Sequence, residues 1–229
     1  MTFAIDTSTP QPSVAVTHDE AVLAELWGDS SPSAGRRVLE GAHHALSAAG
    51  VSVTDVGRIV VGVGPGGFTG LRIGIATALG LGQALDVPVV GVVSLEGLAA
   101  AAAGVAEGGL VMPMTDARRR EVFTACYRVG ADGGLDELMA PVAVPVDDLA
   151  SHLPDGDEPV LCVGTGTRVA ALPSRAIVPG LRSPLHRVGA SHLVQRVDHG
   201  GERPVTPLYA RLPDAEVNRR AALAGGGVG

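Results

Sequence analysis

Three short constellations in the 229-residue chain carry residue types able to do chemistry. The first is the glycine run Gly62-Val63-Gly64-Pro65-Gly66-Gly67-Phe68-Thr69-Gly70-Leu71-Arg72, set between a β-branched stretch and an apolar helical one. The second, Asp6-Thr7-Ser8, places a carboxylate and two hydroxyls where the first apolar stretch ends. The third, Asp116-Ala117-Arg118-Arg119-Arg120-Glu121, mixes charges of both signs. Gly62, Gly64 and Gly67 match G-x-G-x-x-G between a strand and a helix, the pattern that lets a helix N-terminus approach a pyrophosphate. A dinucleotide-binding unit would begin with that strand, however, whereas here several extended segments precede it, and Pro65 removes one of the amides a pyrophosphate needs. A Walker loop fails too, because all 17 basic residues are arginine and none is lysine. The same absence excludes Schiff-base chemistry and a lysine general base. Close packing remains as the competing role of the glycines, since a residue without Cβ lets two backbones approach.

Inside the apolar helix that follows, Gly70, Gly74, Ala78 and Gly82 recur at i, i+4 and form a stripe almost bare of side chain. Glycine costs about 1 kcal/mol relative to alanine in a helix interior, so the stripe needs compensation by close approach of another backbone. That backbone belongs either to the same lobe or to a second subunit. None of the seven histidines has a partner at i, i+4, the spacing that places two imidazoles on one helix face for a metal. His43 and His44 are adjacent and so project about 100° apart. No serine nucleophile signature occurs. Asp6 has two readings, a ligand for a magnesium-bound nucleotide or a hydrogen-bonded carboxylate at a strand end. Asp116, Arg118 and Glu121 equally suit a solvated hairpin.

The elements that must position these residues follow from the patterning. Phe3 to Asp6, Ser13 to Thr17 and Val22 to Trp27, separated by turn signals, predict an antiparallel meander. Ser31-Pro32 reads as a helix start, with Leu39, Ala42, Leu46 and Ala49 at helical spacing to Gly50. Arg58 to Val63 predicts a strand, Leu71 to Leu85 a helix, Val87 to Val93 a strand, and Ser94 the N-cap of another helix. The first lobe thus reads βββαβαβα over residues 1–104. A second, smaller lobe over 105–220 opens with strand-like runs at Leu110 to Thr115 and Glu121 to Val129. It continues with a strand at Pro159 to Val163, a Gly164-Thr165-Gly166 turn, a helix at Ser191 to Val197 and a closing Leu208-Tyr209 segment. Residues 221–229 read as a frayed tail.

Bulk properties narrow the partners. The net charge of −7 opposes autonomous nucleic-acid binding, and only six aromatic residues are present to stack on bases. Cys126 and Cys162, the only cysteines, indicate neither a disulfide framework nor a metal knuckle. The start of the chain lacks a basic region, and no apolar stretch is long enough to span a bilayer, so a cytoplasmic protein away from membranes is expected.

Ala4-Ile5-Asp6-Thr7-Ser8, the Gly64-Pro65-Gly66-Gly67-Phe68-Thr69-Gly70-Leu71-Arg72-Ile73-Gly74 run and Asp116-Ala117-Arg118 with Glu121-Val122-Phe123 resemble, in order and spacing, the bacterial TsaB (YeaZ-type) proteins. Val163-Gly164-Thr165-Gly166 and Pro207-Leu208-Tyr209-Ala210-Arg211 look like the closing landmarks of that family. The resemblance implies an α/β, actin-like and sugar-kinase-like (ASKHA) fold of two lobes, with Asp6, Thr7 and Ser8 at a vestigial nucleotide-binding loop and Asp116, Arg118 and Glu121 beside the lobe junction. It implies a non-catalytic accessory subunit, homodimeric when alone, that binds TsaD and works with TsaE in threonylcarbamoyl transfer to adenosine 37 of tRNA. Contact with tRNA is then made only through the complex. No cofactor of its own is implied, although ATP or ADP at the boundary with TsaD is compatible. The expected partner interface comprises Phe68, Gly70, Arg72, Gly74, Ala78 and Gly82 on one helix with Leu39 and His43 on another. At the start of that other helix, Ser33-Ala34-Gly35-Arg36-Arg37 departs from the family pattern. A sugar-kinase-type phosphotransferase using Asp6 is the alternative.

Overall fold

The computed structural model describes residues 1–29 and 37–211. Strands β1 (Thr2–Asp6), β2 (Ser13–His18), β3 (Ala21–Trp27), β4 (Arg58–Gly62) and β5 (Val89–Val92) form one sheet in the order β3-β2-β1-β4-β5. The meander β1-β2-β3 is antiparallel, while β4 runs parallel to β1 and β5 parallel to β4. β1 is buried along its whole length because its side chains serve two cores. Phe3 and Ile5 point to the side covered by helices α1 (Val38–Ala49) and α2 (Phe68–Leu85), and Ala4 points to the side covered by α4 (Ala190–Asp198). The predicted helix start at Ser31-Pro32 and the Ser33–Arg36 departure lie outside the described residues, as does the 221–229 tail.

The second sheet repeats the first. Strands β6 (Leu110–Arg118), β7 (Glu121–Val129), β8 (Leu135–Pro145), β9 (Val160–Val163) and β10 (Ala176–Ile177) lie in the order β10-β9-β6-β7-β8, again an antiparallel meander followed by two parallel strands. An actin-like duplication is therefore present in topology although no sequence repeat marks it. One face of this sheet, with Val111, Phe123 and Tyr127, packs on helix α3 (Ser94–Ala100) through Leu95, Leu98 and Ala99. The other, with Met112, Met114 and Cys162, is covered by Leu149, Leu153 and Leu172 from the excursions on either side of β9.

The division at residue 104 needs one correction. α3 precedes that boundary yet packs on the second sheet, and α4 follows it yet packs on the first, where Leu193, Val194 and Val197 join Ala4, Ala15 and Val60. The two crossing helices meet through a buried ion pair: Glu96 Oε2 accepts from Arg196 Nε at 3.2 Å, and Glu96 Oε1 from Arg203 Nη2 at 3.1 Å. From Arg203 the chain pairs with Gly91 and then runs across both lobes. Leu208 N donates to Val63 O at 2.7 Å, and Arg211 reaches Ala117 O at 3.2 Å and the Glu121 carboxylate. Among the described residues no helix is long and apolar enough to cross a membrane.

Both cysteines are free and buried on the outer core of the second sheet. Burial pushes the Cys126 thiol up to about 11 and that of Cys162 up to about 12. Because the thiolate is the nucleophile, neither should react with an aromatic disulfide reagent at pH 8 in the folded protein, whereas both should titrate after denaturation. Labelling of the native protein at the rate of a free cysteine would contradict this packing.

Candidate functional site

β1 delivers Asp6 to the end of the first sheet, where its side chain is completely buried. Oδ1 accepts from Ser8 N at 2.8 Å and Ser8 Oγ at 2.6 Å, and Oδ2 accepts from Ser94 Oγ at 2.6 Å. Ser94 Oγ in turn accepts from Gly64 N at 3.2 Å. Ser94 thus lies in the first turn of α3 but does not cap it as its sequence context suggested; Val93 holds the N-cap position and the hydroxyl serves Asp6. Burial raises the Asp6 pKa above its ordinary value, with the serine hydrogen bonds pulling the other way.

The glycine run closes over this carboxylate. Gly67 N donates to Ser8 O at 2.9 Å, and Thr7 Oγ1 donates to Gly70 O at 2.8 Å. A Cβ on Gly66 would stand 2.7 Å from Ser8 Cα, and one on Gly74 would overlap Thr7 Oγ1. The missing side chains therefore let residues 64–74 lie directly on residues 6–8. Farther along α2, Ala78 is buried and a Cβ on Gly82 would overlap Val89 of β5.

This geometry corrects one expectation and separates two alternatives. Gly74, Ala78 and Gly82, with Gly70 half-buried beside them, do not form a ridge for another molecule; they face Thr7 and the sheet of their own chain. Of the two readings of Asp6, the geometry matches the hydrogen-bonded carboxylate at a strand end: Asp6, Thr7 and Ser8 are all buried, with their polar groups bonded to one another, to Ser94 and to the loop above them. Among the described residues, no three His, Cys, Asp or Glu side chains are grouped to hold a metal ion.

The remaining expected positions are at the surface. Phe68 and Arg72 are exposed at the start of α2, where the Arg72 guanidinium lies 3.8 Å above the Phe68 ring and its Nε donates to Tyr209 Oη at 3.1 Å. Leu39 and His43 are exposed on α1. They rim a cavity of about 250 Å³ between α1 and α2, walled by Phe3, Leu46, Leu81 and Leu85. Asp116 joins the junction of the second lobe, its N donating to Thr165 Oγ1 at 3.2 Å. Its carboxylate accepts from Arg118 N at 2.7 Å and pairs with Arg118 Nη1 at 3.2 Å. Sequence reasoning missed the α1–α2 cavity and the roles of Ser94, Tyr209 and Arg211. No local pattern announces any of them, since each contact joins residues far apart in the chain.

The duplicated topology and the motifs at the ends of β1, β4 and β6 define an actin-like α/β protein of two lobes, with the carboxylate of its first loop sealed inside. The family model described as TsaD, tRNA N6-adenosine threonylcarbamoyltransferase, matches residues 33–193. A Bacillus subtilis protein named tRNA threonylcarbamoyladenosine biosynthesis protein TsaB is 35% identical over 165 residues, covering 72% of this chain and 71% of that one. An uncharacterised Mycobacterium tuberculosis protein is 35% identical over 217 residues, covering 93% of each. The solved structure of YeaZ from Pseudomonas aeruginosa superimposes with a TM-score of 0.75 at 29% identity, covering 91% of this chain and 98% of that one. The chain belongs to this family as a TsaB/YeaZ-type member.

Two outcomes check the site. Gly74→Leu should prevent folding or destabilise by at least about 1–3 kcal/mol in urea titrations, because its side chain must displace Thr7. A Gly74→Leu protein as stable as wild type would refute the inward stripe. For Asp6, the folded pKa lies above the ordinary carboxylate value of 3.8, so the folded state holds the proton more tightly. Its contribution to stability is complete below that value and is lost as pH rises through the raised folded pKa. Asn cannot ionise, so the stability of Asp6→Asn relative to wild type should increase from pH 4 to pH 7. A pH-independent difference would refute the assignment.

Proposed function

We propose that this chain is an accessory subunit of threonylcarbamoyladenosine formation on tRNA, docking onto the TsaD transferase and forming a homodimer when that partner is absent. The observation that carries this reading is the apolar cavity between α1 and α2, open at a surface where Leu39 is 56% exposed. A cavity walled by leucines, with an exposed leucine at its rim, suits an apolar helix face of a partner. The sealed Asp6 supports a role in shape rather than in phosphoryl transfer, and the relatives named for this tRNA modification supply the pathway. The docking surface is then the outer rim of α1 and α2, with Leu39, His43, Phe68 and Arg72, and not the glycine stripe. TsaE works with the same assembly, tRNA is met only within it, and any ATP or ADP sits at the boundary with TsaD.

The double substitution Leu39→Glu/His43→Glu places two carboxylates at the cavity rim on side chains that support no core. It should leave the melting midpoint within about 3 °C of wild type. It should lower co-elution with the organism's own TsaD at least tenfold and shift the lone protein toward monomer in sedimentation. Unchanged co-elution would sink the proposal.

A further inference from the structure

The hairpin between β6 and β7 is built from the wrong residues for its backbone. Arg118 pairs with Glu121, so Arg119 and Arg120 form a two-residue loop, and Arg118, Arg119 and Arg120 have φ of +62°, +56° and +59°. A two-residue loop with both φ positive favours Asn-Gly, because an L side chain is strained in the left-handed region. Among the described residues, every other left-handed position is filled by glycine or aspartate. The chain has 32 glycines and puts none here.

The strained loop is held from several sides, as such a conformation requires. Asp116 Oδ1 accepts from Arg118 N, Val146 N donates to Arg120 O at 2.9 Å, and Arg211 grips Ala117 O and Glu121. All three arginine side chains are exposed. Arg118 pairs with the half-buried Asp116 and Arg120 with the exposed Asp147, and in both pairs the guanidinium faces solvent, so a phosphate can compete for it. Three guanidinium groups on adjacent residues of a projecting turn concentrate positive charge in a protein whose net charge is −7.

We infer that Arg118, Arg119 and Arg120 form a phosphate-contacting tip that rests on the backbone of the RNA handled by the assembly. This rests on the reading given under Proposed function. A net-acidic protein placed beside a polyanion needs a local cationic contact, and guanidinium groups bind phosphate oxygens in bidentate fashion. Such contacts set position and carry no sequence information.

The test uses Arg119→Asn/Arg120→Gly, which installs the residues the turn prefers, and Arg118→Ala/Arg119→Ala/Arg120→Ala, which removes all three cations. Each is assembled with TsaD and titrated with a tRNA transcript at several salt concentrations. The Asn-Gly variant should melt about 2–8 °C higher than wild type and yet bind tRNA at least fivefold more weakly. The triple variant should reduce the salt-dependence slope by about 2–3. A lower melting point for the Asn-Gly variant would mean the arginines serve the fold, and would overturn the inference. So would unchanged tRNA affinity and slope. Loss of TsaD association with tRNA affinity intact would assign the tip to an acidic protein surface and equally overturn it. Failure of the wild-type assembly to bind tRNA would overturn both this inference and the function it rests on.

Discussion

The contact on which the structure depends is the close approach of residues 64–74 to residues 6–8. A fully buried carboxylate is tolerated only if its oxygens are hydrogen-bonded, and the three donors Asp6 receives come from Ser8 and Ser94. Ser94 is placed by the start of α3, and its Oγ is reached by Gly64 N from the glycine run. One side chain thereby ties together the ends of β1, β4 and β5 and the first turn of the helix that enters the second lobe. The glycines are the complement of this arrangement. Without them the run would stand off from Thr7 and Ser8, and Asp6 would be left with water on one side and a sheet core on the other.

The same contact determines what the surface has left to offer. A helix has one bare stripe to use, and α2 directs its own at Thr7 and Val89. Close backbone packing is therefore an internal feature, while the outer rim of α2 presents side chains instead. The proposed docking at that rim would therefore use the cavity and exposed apolar side chains such as Leu39 and Phe68. A partner meeting this rim would gain affinity mainly from leucine burial, about 25 cal/mol per Å² of apolar surface before the costs of association are set against it.

Much of the first lobe was legible in the sequence. The apolar run at Phe3 to Ile5 and the β-branched run at Ile59 to Val61 are strands because each is buried on both faces, which leaves an uninterrupted apolar signal. The helical spacing of α2 was equally plain, and its stripe correctly demanded a close neighbour. What a one-dimensional pattern does not contain is the identity of that neighbour, since Thr7 lies more than sixty residues from Gly70 and Gly74, and Val89 meets Gly82 only because the chain turns back between α2 and β5. β8 escaped for a different reason. It is an edge strand, exposed or half-buried at all but one position, interrupted by Pro141 and carrying Asp136 and Glu137, so pairing with β7 rather than local propensity makes it a strand. The sealed state of Asp6 was likewise hidden. An aspartate followed by two hydroxyl residues reads the same whether it waits for a metal or is capped by Ser8, and only the position of Ser94 decides between them.

Two-lobed proteins are by default free to move about their junction, unless the interface is large and apolar. Here the lobes exchange helices: α3 completes the core of the second sheet and α4 that of the first. Glu96 and Arg196 join the two helices inside the protein, and removing either partner would leave the other charge buried and unpaired at a cost of about 3–5 kcal/mol. The chain then crosses the junction once more, with Leu208 packed against the cores of both lobes and Arg211 fastened to the β6–β7 hairpin. A cleft that must open and close on a small substrate is poorly served by such stitching, because each crossing would have to be undone in every cycle. A subunit that presents a fixed surface is well served by it. The features that seal Asp6 and those that bind the lobes together thus act in the same direction: the carboxylate closes the end of the first sheet, and α3, α4 and the strap from Leu208 to Arg211 hold the two sheets against each other.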